Sequence, residues 1–109
     1  MRLRLDHRVE DDHTVVGIAG EIDVFTAPRL REYLTDLIMS GGAHLVLDMA
    51  EVAFLDSAGL GVLIGTLRRL QVHDGTLAVI NANHHVLKVF RTTRLDRVIE
   101  VSGDADAGD

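Results

Sequence analysis

Residues 45–70 read LVLDMAEVAFLDSAGLGVLIGTLRRL, and this stretch decides the fold. Leu45, Val46 and Leu47 form a short apolar run without helical spacing, as expected of a strand buried on both faces of a parallel sheet. From Ala58 onward the apolar positions become Leu60, Leu63, Ile64, Leu67 and Leu70. That is the i, i+3, i+4, i+7 spacing of an amphipathic helix packed on a core. Asp56 and Ser57 stand at the junction, and either has the short side-chain oxygen that caps a helix by accepting from its unpaired first N–H groups.

Ser57 is therefore expected as a surface hydroxyl held over a positive helix end. The free N–H groups and the macrodipole there favour a bound phosphate, so a phosphoserine at this position would leave the fold intact. Ala58, Gly59 and Gly61 are small, which predicts open space through which another protein could approach the backbone. The plain alternative is a helix cap with no further role.

Outward toward the N-terminus, Leu3, Leu5 and Val9 alternate with Arg2, Arg4, Asp6 and Arg8, the period of a strand with one wet face, placed at a sheet edge. Glu10-Asp11-Asp12 is a turn signal, and Thr14–Gly20 reads as a more buried strand paired to the first as a hairpin. Thr26 with Ala27-Pro28 marks a helix start, with Thr26 as N-cap. Leu30, Leu34, Leu37 and Ile38 form the apolar stripe of that helix, Tyr33 borders it, and Gly41-Gly42 ends it. Beyond the central helix, Asp74-Gly75 gives a turn and Thr76–Ile80 a further buried strand. Asn83 caps a short helix containing Val86, Leu87, Val89 and Phe90. Leu95, Val98, Ile99 and Val101 return the chain to the core as strand or helix.

The pattern predicts one α/β domain over residues 1–101: a mixed, mostly parallel sheet with an N-terminal hairpin and helices between the later strands. Loops after the strands' C-terminal ends then gather on one face, among them Glu21–Thr26 and Val52–Ser57. Residues 102–109, SGDADAGD, are small or acidic with almost nothing to bury, and read as a disordered acidic tail.

Two motifs carry a resemblance. Asp56-Ser57-Ala58-Gly59-Leu60-Gly61 resembles the phosphorylation-site loop of STAS domains, specifically of the anti-sigma-factor antagonists. Gly20-Glu21-Ile22-Asp23-Val24-Phe25-Thr26-Ala27-Pro28 resembles the family's upstream segment, and both stand in the expected order. The similarity continues through Val89–Asp96 and leaves out only Ser102–Asp109. It implies a STAS fold and a protein that works by partner switching rather than by catalysis. Unphosphorylated, it would bind an anti-sigma factor with serine kinase activity and so free a sigma factor; phosphorylation of Ser57 by that kinase would end the binding, and a metal-dependent serine phosphatase would restore it. On its residues alone Asp23 reads as a turn or pre-cap carboxylate; the resemblance implies instead that it lies near Ser57 and helps to engage the kinase, and that Asp56, Ala58, Gly59 and Gly61 line the contact. Within the same fold, the alternative is an unphosphorylated scaffold or transporter-associated module.

Bulk properties agree with a cytoplasmic regulator. The chain has 109 residues, enough for one modest core. Its 17 acidic and 11 basic residues give a net charge of -6, with no basic cluster beyond Arg68-Arg69 and the scattered Arg94 and Arg97, which disfavours direct nucleic-acid binding. Without cysteine there are no disulfides or thiolate metal sites. No apolar run approaches the roughly 18–20 residues of a membrane span.

Three other chemistries fit poorly. A nucleophile elbow needs Gly where Leu55 stands, and the six histidines offer Ser57 no partner. His84 and His85 are adjacent, whereas a helical metal pair wants i, i+4, so neither metal nor cofactor is expected. Gly59, Gly61 and Gly65 imitate a dinucleotide fingerprint with the spacing off by one, in a chain shorter than two mononucleotide-binding halves, which sets aside a small nucleotide-binding protein. Gly61 and Gly65 read instead as close-packing positions.

Overall fold

The structure is a computed structural model and describes residues 3–103. Its elements are β1 (Arg4–Glu10), β2 (His13–Ile22), α1 (Ala27–Met39), β3 (His44–Leu55), α2 (Ser57–Val72), β4 (Thr76–Ala82), α3 (His84–Thr92), a 3-10 turn (Leu95–Arg97) and β5 (Glu100–Gly103). They build one five-stranded sheet in the order β1-β2-β3-β4-β5. The β1–β2 hairpin is antiparallel, and every later pairing is parallel. The expected mixed sheet with an N-terminal hairpin is thus present.

Strand order has a direct consequence for the layers. From β2 to β5 each crossover steps to the next position on the same side, and right-handed crossovers that all advance in one direction put their helices on one face. Burial follows that rule. In β2, Val16, Ile18 and Ile22 enter the core, and in β3 so do Leu45, Leu47 and Met49, with only the intervening positions on the other face. They meet Leu30, Leu34 and Ile38 of α1, Val62, Leu63 and Leu70 of α2, and Val86 and Phe90 of α3. The expectation that Leu45–Leu47 is buried on both faces is therefore corrected: Val46 is half-buried on the face that no helix covers.

Three boundaries also differ. Glu21 and Ile22 belong to β2 and Val52–Leu55 to β3, because the parallel ladder continues to Glu21–Phe54 and Ile22–Leu55 after two register shifts. Only Asp23–Thr26 and Asp56 remain as connections. The C-terminal segment forms both a 3-10 turn and a strand, with Ile99 buried between them. Ser102 and Gly103, expected in the tail, complete β5 beside β4; the rest of that segment, 104–109, lies outside the described residues.

The inward face of α2 is turned relative to the sequence pattern. Gly59, Val62, Leu63, Thr66 and Leu70 are buried and Leu60 and Leu67 pack at the margin, while Ile64 is half-buried and outside the core. Thr66 can enter the core because its hydroxyl donates to the Val62 carbonyl at 2.8 Å.

Candidate functional site

The parallel pairing of β2 with β3 brings the two motif segments together. Ile22 faces Leu55 at the end of the ladder, and the Asp56 N–H donates to the Ile22 carbonyl at 3.2 Å, so the loop after β2 and the start of α2 leave the sheet side by side. Asp23 and Asp56 are the first residues beyond that pairing. Both lie at the carboxyl ends of parallel strands, where open α/β sheets place their binding sites.

Asp56 caps α2. Its Oδ1 accepts from the backbone N–H of Ala58 at 2.9 Å and of Gly59 at 3.2 Å. With Asp56 as the cap, Ser57 becomes the first helical residue, exposed, and among the described residues its hydroxyl has no hydrogen-bond partner. The cap role, which the sequence left open between the two residues, falls to Asp56: the carboxylate holds the helix end and the Ser57 hydroxyl is left free. Ala58 is half-buried and Gly61 exposed beside it.

Gly59 and Gly61 part company here. A Cβ on Gly59 would stand 2.5 Å from Ile22 Cγ2 and 2.6 Å from Leu55 Cδ1, so this glycine lets α2 close on the ends of β2 and β3 and is no part of an open surface. A Cβ on Gly61 would meet nothing within 4 Å. The open space predicted around Ser57 is therefore at Gly61 alone, and Gly61 is not the close-packing position its spacing implied. Gly65 has only the Arg69 side chain near it, at 3.5 Å.

The start of α1 is built differently from expectation, while Asp23 has the turn role its sequence position suggests. Thr26 precedes α1, but its side chain does not cap the helix. Its hydroxyl donates to the Glu21 carbonyl at 2.7 Å and accepts from the Asp23 N–H at 2.9 Å, tying the loop back to β2. Asp23 braces the turn before the helix, where Oδ1 accepts from the N–H groups of Phe25 at 2.9 Å and Thr26 at 3.0 Å and the carbonyl accepts from Ala27 at 2.8 Å, while α1 itself has no side-chain cap. Asp23 thus fixes the loop's shape and is half-buried while doing so.

A third segment joins the rim. Asn83 caps α3 by accepting from Val86 N–H at 3.0 Å, and its amide donates to the Val52 carbonyl at 2.7 Å, which fastens the start of α3 to β3. His85 stacks on Phe54, rings 6.3 Å apart and 19° from parallel. Val24 is 62%, Phe25 87% and Phe54 43% exposed. The sequence reading missed this apolar rim. Its one signal was Phe25, an aromatic between two turn residues with nothing to pack on.

Among the described residues no group of three or more His, Cys, Asp or Glu is arranged to hold a metal ion, and no helix is long and apolar enough to cross a membrane. The site is a display of one hydroxyl, one carboxylate that caps α2, one that braces the loop before α1, and an apolar margin.

Comparison with known proteins agrees with the geometry. The STAS domain profile matches residues 4–107. The anti-sigma-B factor antagonist of Bacillus subtilis is 35% identical over 108 residues, covering 99% of this chain and 98% of its own. A crystal structure of an anti-sigma factor antagonist from Mycobacterium paratuberculosis superposes with a TM-score of 0.84 at 28% identity, over 95% of this chain and 88% of its own. The Bacillus cell fate determinant SpoIIAA, solved in its phosphorylated form, shares the fold with a TM-score of 0.70 at 23% identity, covering 96% of this chain and 95% of its own. With the STAS model matched over nearly the whole chain and a full-length relative at 35% identity, the chain belongs to the STAS-domain family, among its anti-sigma-factor antagonists.

Proposed function

We propose that this chain binds an anti-sigma factor with serine kinase activity while Ser57 is unphosphorylated, releasing a sigma factor, and that phosphorylation of Ser57 ends the binding. The observation that carries this reading is the exposed, unpartnered Ser57 hydroxyl on the first residue of α2, with the Asp23 loop beside it. The likeness over nearly the full length to an anti-sigma-B factor antagonist supports it. A metal-dependent serine phosphatase returns the protein to its binding form, and the cycle runs in the cytoplasm. The chain is the substrate and the switch, and it supplies no catalysis of its own.

The sign of the switch follows from where the charge is added. A phosphate brings about -1.5 to -2 charges at neutral pH. In the free protein the N-terminus of α2 offsets part of that charge by about 0.3–1 kcal/mol, so the domain stays folded. Across an interface the phosphate must be desolvated beside the Asp56 carboxylate, and burying a poorly matched charge costs several kcal/mol. Each 1.4 kcal/mol is a factor of ten in affinity, so binding falls by orders of magnitude.

The test is intact-mass analysis after incubation with the kinase and ATP, with a pull-down of two variants. Ser57→Ala takes up no phosphate and binds constitutively; Ser57→Asp folds normally and binds poorly. Phosphate on another residue, or equal binding by the two variants, overturns the assignment.

A further inference from the structure

β1 is an edge strand, and among the described residues its outward side has no neighbour in the sheet. In an antiparallel ladder every second residue turns its N–H and C=O away from its partner, so the edge offers a row of backbone groups able to pair with another strand. Six of its seven residues, Arg4-Leu5-Asp6-His7-Arg8-Val9-Glu10, are exposed, including Val9 at 73%. Charges on an edge usually discourage such pairing. Here they favour one register and oppose the nearest registers that keep the same faces.

If two copies meet antiparallel with His7 on the two-fold axis, Arg4 lies opposite Glu10, Leu5 opposite Val9, and Asp6 opposite Arg8, and each match occurs twice by symmetry. The two faces are also kept apart. Arg4, Asp6, Arg8 and Glu10 share the face no helix covers, while Leu5, His7 and Val9 share the helix side, where His7 bonds the Tyr33 hydroxyl of α1 at 2.6 Å. Sliding the copies two residues one way sets Arg4 against Arg8 and Asp6 against itself. Sliding two the other way sets Asp6 against Glu10 and Arg8 against itself. A one-residue slip swaps the faces, and parallel pairing in register opposes like with like.

We propose that the chain forms a homodimer through β1 in this one register, continuing two five-stranded sheets into one of ten. The occupant of the edge is a second copy because the strand's charge pattern is complementary to its own reversal, which an unrelated acidic or basic partner would not match. The dimer also leaves the site at the C-terminal ends of β2 and β3 uncovered, so each copy keeps its own Ser57 accessible. This inference stands independently of the phosphorylation switch.

Sedimentation equilibrium of the full chain across a concentration series tests it, with Asp6→Arg and Arg8→Asp as variants. The wild type is expected to move from monomer to dimer as concentration rises. Each variant turns two attractive cross-strand pairs repulsive and weakens the dimer by at least about tenfold. An equimolar mixture of the two variants restores opposite charges at both positions and forms a heterodimer. Both positions are exposed, and far-UV circular dichroism checks that the variants fold. A wild type that stays monomeric up to about 1 mM, variants that dimerise as it does, or a mixture that stays monomeric each overturn the proposal.

Discussion

Gly59 and Gly61 lie two residues apart on α2, and adding one methyl group to each is expected to have opposite effects. At Gly59 the methyl would meet Ile22 Cγ2 at 2.5 Å, Leu55 Cδ1 at 2.6 Å and Ile22 Cβ at 3.3 Å. Ile22 is fully buried and Leu55 is 3% exposed, so neither has room to retreat. Ile22 is β-branched and stiff at χ1 as well. Overpacking of this kind costs about 1–3 kcal/mol, and the higher helix propensity of alanine returns at most about 1 kcal/mol. Gly59→Ala should therefore lose about 1–2 kcal/mol. At Gly61 the methyl meets nothing within 4 Å, so the propensity gain stands alone and Gly61→Ala should gain about 0.5–1 kcal/mol. For a domain near this size each kcal/mol moves Tm by about 4–8 °C. Thermal unfolding by circular dichroism thus separates the two variants by roughly 6–24 °C, with the wild type between them. Gly61 is four residues after Ser57 and on the same helix face, so the stabilised Gly61→Ala should nonetheless bind the anti-sigma factor less well. A Gly59→Ala variant that melts at or above the wild type, or a Gly61→Ala variant that melts below it, would refute the packing argument.

Three further outcomes are expected. Asp23→Ala strips the acceptor from two backbone N–H groups and should lower stability by about 0.5–2 kcal/mol, whereas Asp23→Asn keeps the acceptor and the fold; comparing phosphorylation rates of the two then tells a charge requirement from a loop-shape requirement. Leu63→Ala should cost about 2–5 kcal/mol, and Ile64→Ala far less, because Leu63 is fully buried and Ile64 is outside the core; equal urea midpoints would place the helix face wrongly. A chain ending after Gly103 should melt as the full chain does, while one ending after Val101 loses part of β5 and should melt lower.

Most of the fold was legible because its elements differ in period. β1 alternates, β2 is more apolar, and the spacing changes to a helical one after Ser57. The misplaced boundaries have physical causes. Between Met49 and Leu55 the buried positions of β3 fall at every third residue, Met49, Val52 and Leu55, because the ladder shifts register, so the segment matches no strand period. The inward face of α2 was misjudged because a threonine and a glycine belong to it, two residues that no hydrophobic pattern selects. β5 is four residues long with one apolar member turned to the core, too short to show a period. At the site, the residue types and their order were readable in both motifs. Asp23 as a turn carboxylate was readable too, but the rest of the division of labour was not: that Asp56 caps while Ser57 stays free, and that the Thr26 hydroxyl turns back to β2 instead of capping α1, depends on hydrogen bonds that only the folded backbone defines.

The pairing of Ile22 with Leu55 also has a kinetic side. Asp23 and Ser57 are distant in sequence and become neighbours only when β2 and β3 have joined in register, a non-local step that local helix formation cannot supply. An unfolded or nascent chain, or a peptide cut around Ser57, carries the hydroxyl without its companion loop. An enzyme that reads both at once would therefore act on finished domains and pass over incomplete ones, so the modification would count folded molecules rather than synthesised chains.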